Sequence, residues 1–491
     1  MKLRRHFLFI LWLAIAAQPL FAQNSTDTGF NCFSIIVGKN ASVDGSAFLA
    51  HNEDDYGTQL VNFFKVERQT HPANETITFK NGGEMAQVRE TYSYLWFQMP
   101  TMPSADSYIN EFGVVIASDA CASREKNPEL TTGGIIYWLR RIVAERATTA
   151  REAVKIAGEL IETYGYASSG RSYVIADPNE GWMLAAVHGK HWVAQRVPDD
   201  HVAVIPNYYT IGAIDLADTN NFLASPDLIQ YAQKNNWYDP ETDGEFNFRK
   251  AYAANNSLNS PGNIHRMWRG VNLIAGTNFD TTDEFPFSVK PAKKIALTDL
   301  YRVLRDHYEG TELDKSNNYQ LGTPHEINSA TICASSNQYG FVAQLRNWLP
   351  VEIGAVIWFA PRRPDSQPFI PFYLGIDRVP DNYHYDDPIT ALRHHFNPPQ
   401  FYYDKNEDHA FWTFWKLADW VDQDYAGRIN EVRQRWDEFE STAIKKQAGF
   451  ETELLAIYQQ DRPKAKSMLT KYSTDWAQQC TEIARSLRSQ Q

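Results

Sequence analysis

Cysteine is scarce in this chain. Its 491 residues hold four, Cys32, Cys121, Cys333 and Cys480, too few and too widely spaced for a disulfide-dense scaffold. A basic excess is also missing: Lys and Arg number 47 against 59 Asp and Glu, a formal net charge of −12. No basic excess is therefore available to neutralise phosphates, which argues against nucleic acid as a partner. Paired histidines or cysteines at metal-ligand spacing are absent, so the expectation is no metal and no cofactor. No internal repeat or low-complexity tract occurs. Beyond the first residues, no uncharged apolar stretch approaches the length of a membrane span, which predicts a mature form without one.

Hydrophobic residues make up 43% and charged residues 22%, ordinary proportions for a chain with a sizeable core. The first residues read as an export signal. Lys2, Arg4 and Arg5 precede an apolar run over 7–17, and Leu20-Phe21-Ala22 offers a small-residue cleavage site. The reading is a signal peptide over 1–22 and a short leader over 23–31, which places the protein in the periplasm or outside the cell.

Cys32-Phe-Ser-Ile-Ile-Val-Gly38 is rich in β-branched and aromatic residues and predicts a buried strand. Turn chemistry over 40–45 and a second strand over 46–50 make a hairpin that begins at a cysteine. Further strands are predicted over 113–118, 172–176, 181–186, 192–196, 341–345 and 355–360. Helical spacing appears over 134–146, 150–164 and 295–308. The mixture predicts a layered α+β or α/β core over 32–395. After Asn397-Pro398-Pro399, Phe411, Phe414, Trp415, Ala418 and Val421 open a helical extension over 396–491.

A thiol nucleophile needs a base. If Cys32 becomes residue one, its own α-amine, with an ordinary pKa of roughly 7.7–8.0, can serve. The return strand ends in His51-Asn52-Glu53-Asp54-Asp55, so Asp54 can lie beside that amine and orient it.

These residues carry a resemblance. Cys32-Phe-Ser-Ile-Ile-Val-Gly-Lys-Asn-Ala-Ser-Val-Asp-Gly-Ser with His51-Asn-Glu-Asp, and then the blocks beginning at Arg171, Trp192, Arg305 and Gln344, resemble in order the dipeptidase A and secernin-like group of N-terminal-nucleophile cysteine hydrolases. That group is related to penicillin V acylases and bile salt hydrolases. The resemblance implies an αββα sandwich with two mixed sheets, and a cysteine-type dipeptidase acting on small peptides through a thioester. Acylase activity on N-acyl amino acids, bile-salt-like or penicillin-type amides is the alternative, and a non-catalytic scaffold a second; oligomerisation is left open. It further implies that Cys32 attacks the carbonyl, Asp54 holds its amine, Asn207 stabilises the oxyanion and Arg346 stands beside the nucleophile. His51 stands where relatives usually carry arginine, so its charge there depends on pH. Leu184-Ala185-Ala186 stands where dipeptidase-like relatives tend to carry a carboxylate.

Blander readings exist for each residue. Cys32 as a buried thiol, Asp54 as a hairpin-end carboxylate, Asn207 as a turn residue after Pro206, His51 as a satisfied core histidine and Arg346 as half of an interior ion pair are the alternatives. Arg305-Asp306-His307 reads as a helix-end ion network, and Cys121 and Cys333 as core thiols.

Overall fold

The computed structural model describes residues 31–489 apart from 58 and 329. The predicted signal peptide, and the leader up to residue 30, lie outside the described residues. Two large sheets form the centre. A six-stranded sheet has the order Val202–Ile205, Phe33–Val37, Ala47–Asp54, Asn337–Leu345, Ala355–Pro361, Ile370–Tyr373. An eight-stranded sheet runs from Phe222–Ala224 through Trp192–Val197, Gly181–Gly189, Tyr166–Ala176, Val115–Ala120, Ser107–Asn110 and Tyr94–Gln98 to Asn62–Val66. Every pairing within the two is antiparallel. The expectation of mixed sheets is thus corrected: each strand is entered from the opposite end to its neighbour, whether the connection is a tight hairpin or a long excursion.

Strand alternation separates two cores. Val174, Ala176, Met183 and Ala185 point between the sheets, while Tyr173, Ile175, Trp182 and Leu184 point outward. Both sets are buried because helices Tyr137–Arg146 and Ala150–Tyr164 cover the outer face, which is why these strands read as continuous apolar runs. Thr149 caps the second helix by accepting the Glu152 N–H. Helices Pro261–Ala275 and Leu297–Leu304 cover the other sheet, together with the C-terminal helices Ala410–Gln423, Tyr425–Tyr458 and Arg462–Ser489. The result is an α+β, four-layer helix–sheet–sheet–helix stack, and the C-terminal helices share one hydrophobic core with the six-stranded sheet. Among the described residues no helix is long and apolar enough to cross a membrane.

The helix Pro261–Ala275 lies very close to the first strand. A Cβ at Gly270 would stand 2.5 Å from the Phe33 ring, so only glycine admits this approach. That contact brings the polar face of the helix to the start of the cysteine strand.

Candidate active site

Phe33 pairs with Asn52 and Ser34 with His51 across the hairpin, so alternate residues of both strands project toward the second sheet. Cys32, Ser34, His51 and Glu53 meet there. Cys32 is 1% exposed. Its Sγ lies 3.8 Å from Glu53 Oε1 and 3.5 Å from the Asp54 carbonyl. Glu53 Oε2 is 3.0 Å from His51 Nε2, His51 Nδ1 is 2.8 Å from Ser34 Oγ, and Ser34 donates to Asp119 Oδ2 at 2.7 Å.

The partners assign the tautomer. Ser34 spends its one proton on Asp119, so it must accept Nδ1–H from His51. Nε2 then accepts, and Glu53 donates as a neutral carboxyl. Electrostatics agree. Burial lowers the pKa of His51 to about 4, and burial raises Glu53 well above the carboxylate range against the pull of Arg140 and Arg171. The His51–Glu53 contact is therefore a neutral hydrogen bond, not an ion pair. Burial raises Asp119 to about 7. The Cys32 thiol is pushed well up, first by burial and then by Glu53, Asp119 and Asp54, with Arg171 opposing. With residue 31 attached, the sulfur holds its proton. An unbroken row of hydrogen-bonding groups runs from that thiol through Glu53, His51 and Ser34 to Asp119.

Asp54 projects to the other side of the strand. It accepts the Asn31 backbone N–H and faces Asn337 Nδ2 at 3.4 Å. Burial raises its pKa to about 6, against hydrogen bonds from Ser336 and Asn31 and the charges of Arg266 and Arg362. Its carboxylate thus lies against the backbone immediately before Cys32.

Asn207 follows the strand Val202–Ile205 and is 1% exposed. Its amide is oriented unambiguously: Oδ1 accepts from Arg266 Nη2 at 3.0 Å, and Nδ2 donates to the Ala120 carbonyl at 2.9 Å. Arg266 also donates to the Cys32 carbonyl at 2.5 Å and to Asn263 Oδ1 at 2.8 Å. One fully buried guanidinium therefore ties the cysteine backbone to the asparagine side chain.

The structure brings Cys32, Asp54, His51 and Asn207 together, but not Arg346. Leu345 pairs with Ala47, at the opposite end of the return strand from Asp54. Arg346 there makes two 2.7 Å contacts to Glu451 and donates to the Gly354 and Ile353 carbonyls. It is the interior ion pair of the blander reading. The arginine joined to Cys32 is Arg266, which the sequence reading omits, along with Glu53, Asp119 and Arg171. His51, neutral at neutral pH, supplies no cation. Cys121 is a buried thiol 3.0 Å from Ser172 Oγ.

A model of peptidase family C69 matches residues 31–438 of this chain. The chain belongs to peptidase family C69. It is therefore an enzyme that hydrolyses peptide bonds. Curated relatives include a "Probable dipeptidase" of Latilactobacillus sakei, 30% identical over 367 residues that cover 72% of this chain and 76% of the relative. A "Probable dipeptidase" of Salmonella dublin is 28% identical, covering 70% and 81%. The "Dipeptidase" of Bifidobacterium longum is 28% identical, covering 71% and 72%. Solved structures similar to this C69 peptidase include penicillin V acylase from Agrobacterium tumefaciens, with TM-score 0.32, 14% identity and coverage of 67% and 82%. A variant of conjugated bile acid hydrolase from Clostridium perfringens has TM-score 0.31, 13% identity and coverage of 67% and 89%. The matched span of the C69 model begins one residue before Cys32.

Proposed function

We propose that this C69 peptidase is an exported dipeptidase whose nucleophile is Cys32, acting as the first residue after residues 1–31 are removed. The observation that carries the reading is the placement of Asp54. Its carboxylate accepts the N–H at residue 31, next to where cleavage before Cys32 would create a free amine.

The proposed chemistry needs only groups already described. The α-amine takes the thiol proton as sulfur adds to the scissile carbonyl, and Asp54 holds the resulting ammonium. The oxyanion receives an N–H of Asn207, whose amide Arg266 holds in orientation. The ammonium then protonates the departing amino group as the C–N bond breaks, leaving a thioester on Cys32. Water, deprotonated by the amine, hydrolyses the thioester and restores the thiol. Removing the leader supplies the base.

The dipeptidase names of the relatives favour a substrate with a free amino terminus. In a panel of dipeptides and their N-acetyl counterparts, the free forms are expected to turn over at least ~100-fold faster, a difference of ~3 kcal/mol in transition-state binding. Equal or faster cleavage of the acylated forms would mean an acylase.

Asn207→Ala is expected to lower kcat by roughly 10²–10³ with KM little changed, as for loss of one oxyanion donor. An unchanged kcat in a variant that melts like the parent would remove Asn207 from the reaction.

A further inference from the structure

A second constellation of reactive side chains lies outside the site. His307 follows the helix Leu297–Leu304, His325 lies in the short helix Pro324–Ile327, Cys333 precedes the strand Asn337–Leu345, and Asp365 sits in the 3-10 turn Pro364–Ser366. One atom of each, two ring nitrogens, a sulfur and a carboxylate oxygen, all lie within 4.8 Å of one another. The Nε2 atoms of the two histidines face each other at 3.1 Å. Asp365 Oδ2 is 3.4 Å from His325 Nε2 and 3.9 Å from His307 Nε2. Ligands about 2.0–2.1 Å from a tetrahedral zinc stand roughly 3.3 Å apart, and sulfur, with its longer bond, somewhat farther.

The surroundings fix the ring tautomers. His307 Nδ1 lies 3.0 Å from Glu309 Oε1, and His325 Nδ1 lies 2.8 Å from Asp422 Oδ1. A carboxylate accepts from Nδ1–H of each ring, so each Nε2 turns toward the other ring, toward Asp365 and toward the sulfur. These four ligand-type atoms converge in a buried space: Cys333, Asp365 and His307 are each 0% exposed, and the His325 side chain 1%. A carboxylate behind each ligating histidine is the arrangement that orients imidazole on metals and raises its basicity.

We propose that His307, His325, Cys333 and Asp365 form a structural zinc site. Two imidazoles, a thiolate and a carboxylate suit zinc in donor type and number. Four protein ligands leave no position open for substrate, so the role is to hold structure. This proposal departs from the expectation from sequence of no metal and a core thiol at Cys333.

The site is well placed to hold the active centre. Asn52 Nδ2 donates to the Ile332 carbonyl beside Cys333 at 3.0 Å. Asn337 caps the Ala334 N–H at 2.9 Å and turns its own Nδ2 toward Asp54. Zinc at Cys333 would therefore fix the loop that supports Asp54, and through Asp422 it would anchor the helix Ala410–Gln423 to the same point.

Metal analysis of the full chain, purified from its host without chelator, is the test. The expected result is about one zinc per chain, with His325→Ala and Cys333→Ser each losing most of it. Asp422→Asn, which leaves all four ligands, is expected to weaken zinc ~10–100-fold in competition with a chelator. Cobalt substituted for zinc is expected to give thiolate-to-metal absorption in the near ultraviolet that Cys333→Ser abolishes. Stripping the metal should lower the melting temperature, and added zinc should restore it. Four results would overturn the proposal: metal-free protein that takes up no zinc and melts identically with chelator, zinc retained in full by His325→Ala and Cys333→Ser, stoichiometric iron or copper in its place, or a cobalt spectrum unchanged by Cys333→Ser. Failure here would leave the Cys32 reading untouched, because metal content and melting are measured without activity.

Discussion

Replacing Cys32 by alanine is expected to lower dipeptide hydrolysis by roughly four orders of magnitude or more, with the fold preserved. The size of the effect follows from the step that is lost. Without sulfur there is no thioester, and water would have to attack the peptide bond directly. No neighbour can substitute. Glu53 is held neutral by burial, His51 carries no charge at neutral pH because burial lowers its pKa to about 4, and Ser34 is committed to Asp119 and His51. The structural cost is small by comparison. One buried sulfur is removed from a position where burial already disfavours its ionisation, so melting should shift by only a few degrees, a change of ~1 kcal/mol. If the alanine variant kept even a tenth of the parent rate, Cys32 would not be the nucleophile.

The second large effect is expected at Arg266, and it touches stability as well as rate. Its guanidinium is 0% exposed and donates to the Cys32 carbonyl, Asn207 Oδ1, Asn263 Oδ1 and the Gly262 carbonyl. Arg266→Met keeps much of the volume and strands those acceptors. At ~1–3 kcal/mol for a buried unpaired group, partly relieved by rearrangement, the loss should be about 4 kcal/mol. The rate should fall further than unfolding explains, because Asn207 loses the donor that fixes which end of its amide faces the reaction. Arg266→Lys should recover part of the stability and less of the rate, since one ammonium cannot reach all these acceptors. Parent-like kcat in either variant, measured where the protein is folded, would mean that Arg266 does not position Asn207.

The hairpin that carries Cys32 is legible in the sequence because both strands are short apolar runs around unambiguous turn residues, and pairing then fixes Asp54 near residue 31. The strands over 172–176 and 181–186 are equally legible, since burial on both faces makes each run almost wholly apolar. Arg266 is not marked in this way. It shares one helix face with Asn263, Met267, Gly270, Val271 and Ile274, so the available signal is a charged residue among buried positions at helical spacing. Arg346 carries a similar signal just past the end of a strand, and only the tertiary structure tells the two apart: one meets Cys32, the other Glu451. Glu53 and Asp119 belong to strands that meet only when the sheets stack, a long-range event that no local pattern encodes. The zinc ligands show the same limit, because four segments scattered between 307 and 365 leave no spacing motif behind.

The central claim, a nucleophile that is also the amino terminus, is tested most directly by the intact mass and N-terminal sequence of the active protein recovered from its host. The account predicts a chain beginning at Cys32, with thiol-directed probes reacting there faster than in the unprocessed chain, whose buried sulfur holds its proton. Full peptidase activity from a chain that still carries Asn31 before Cys32 would contradict it, because no free amine would then exist for Asp54 to hold.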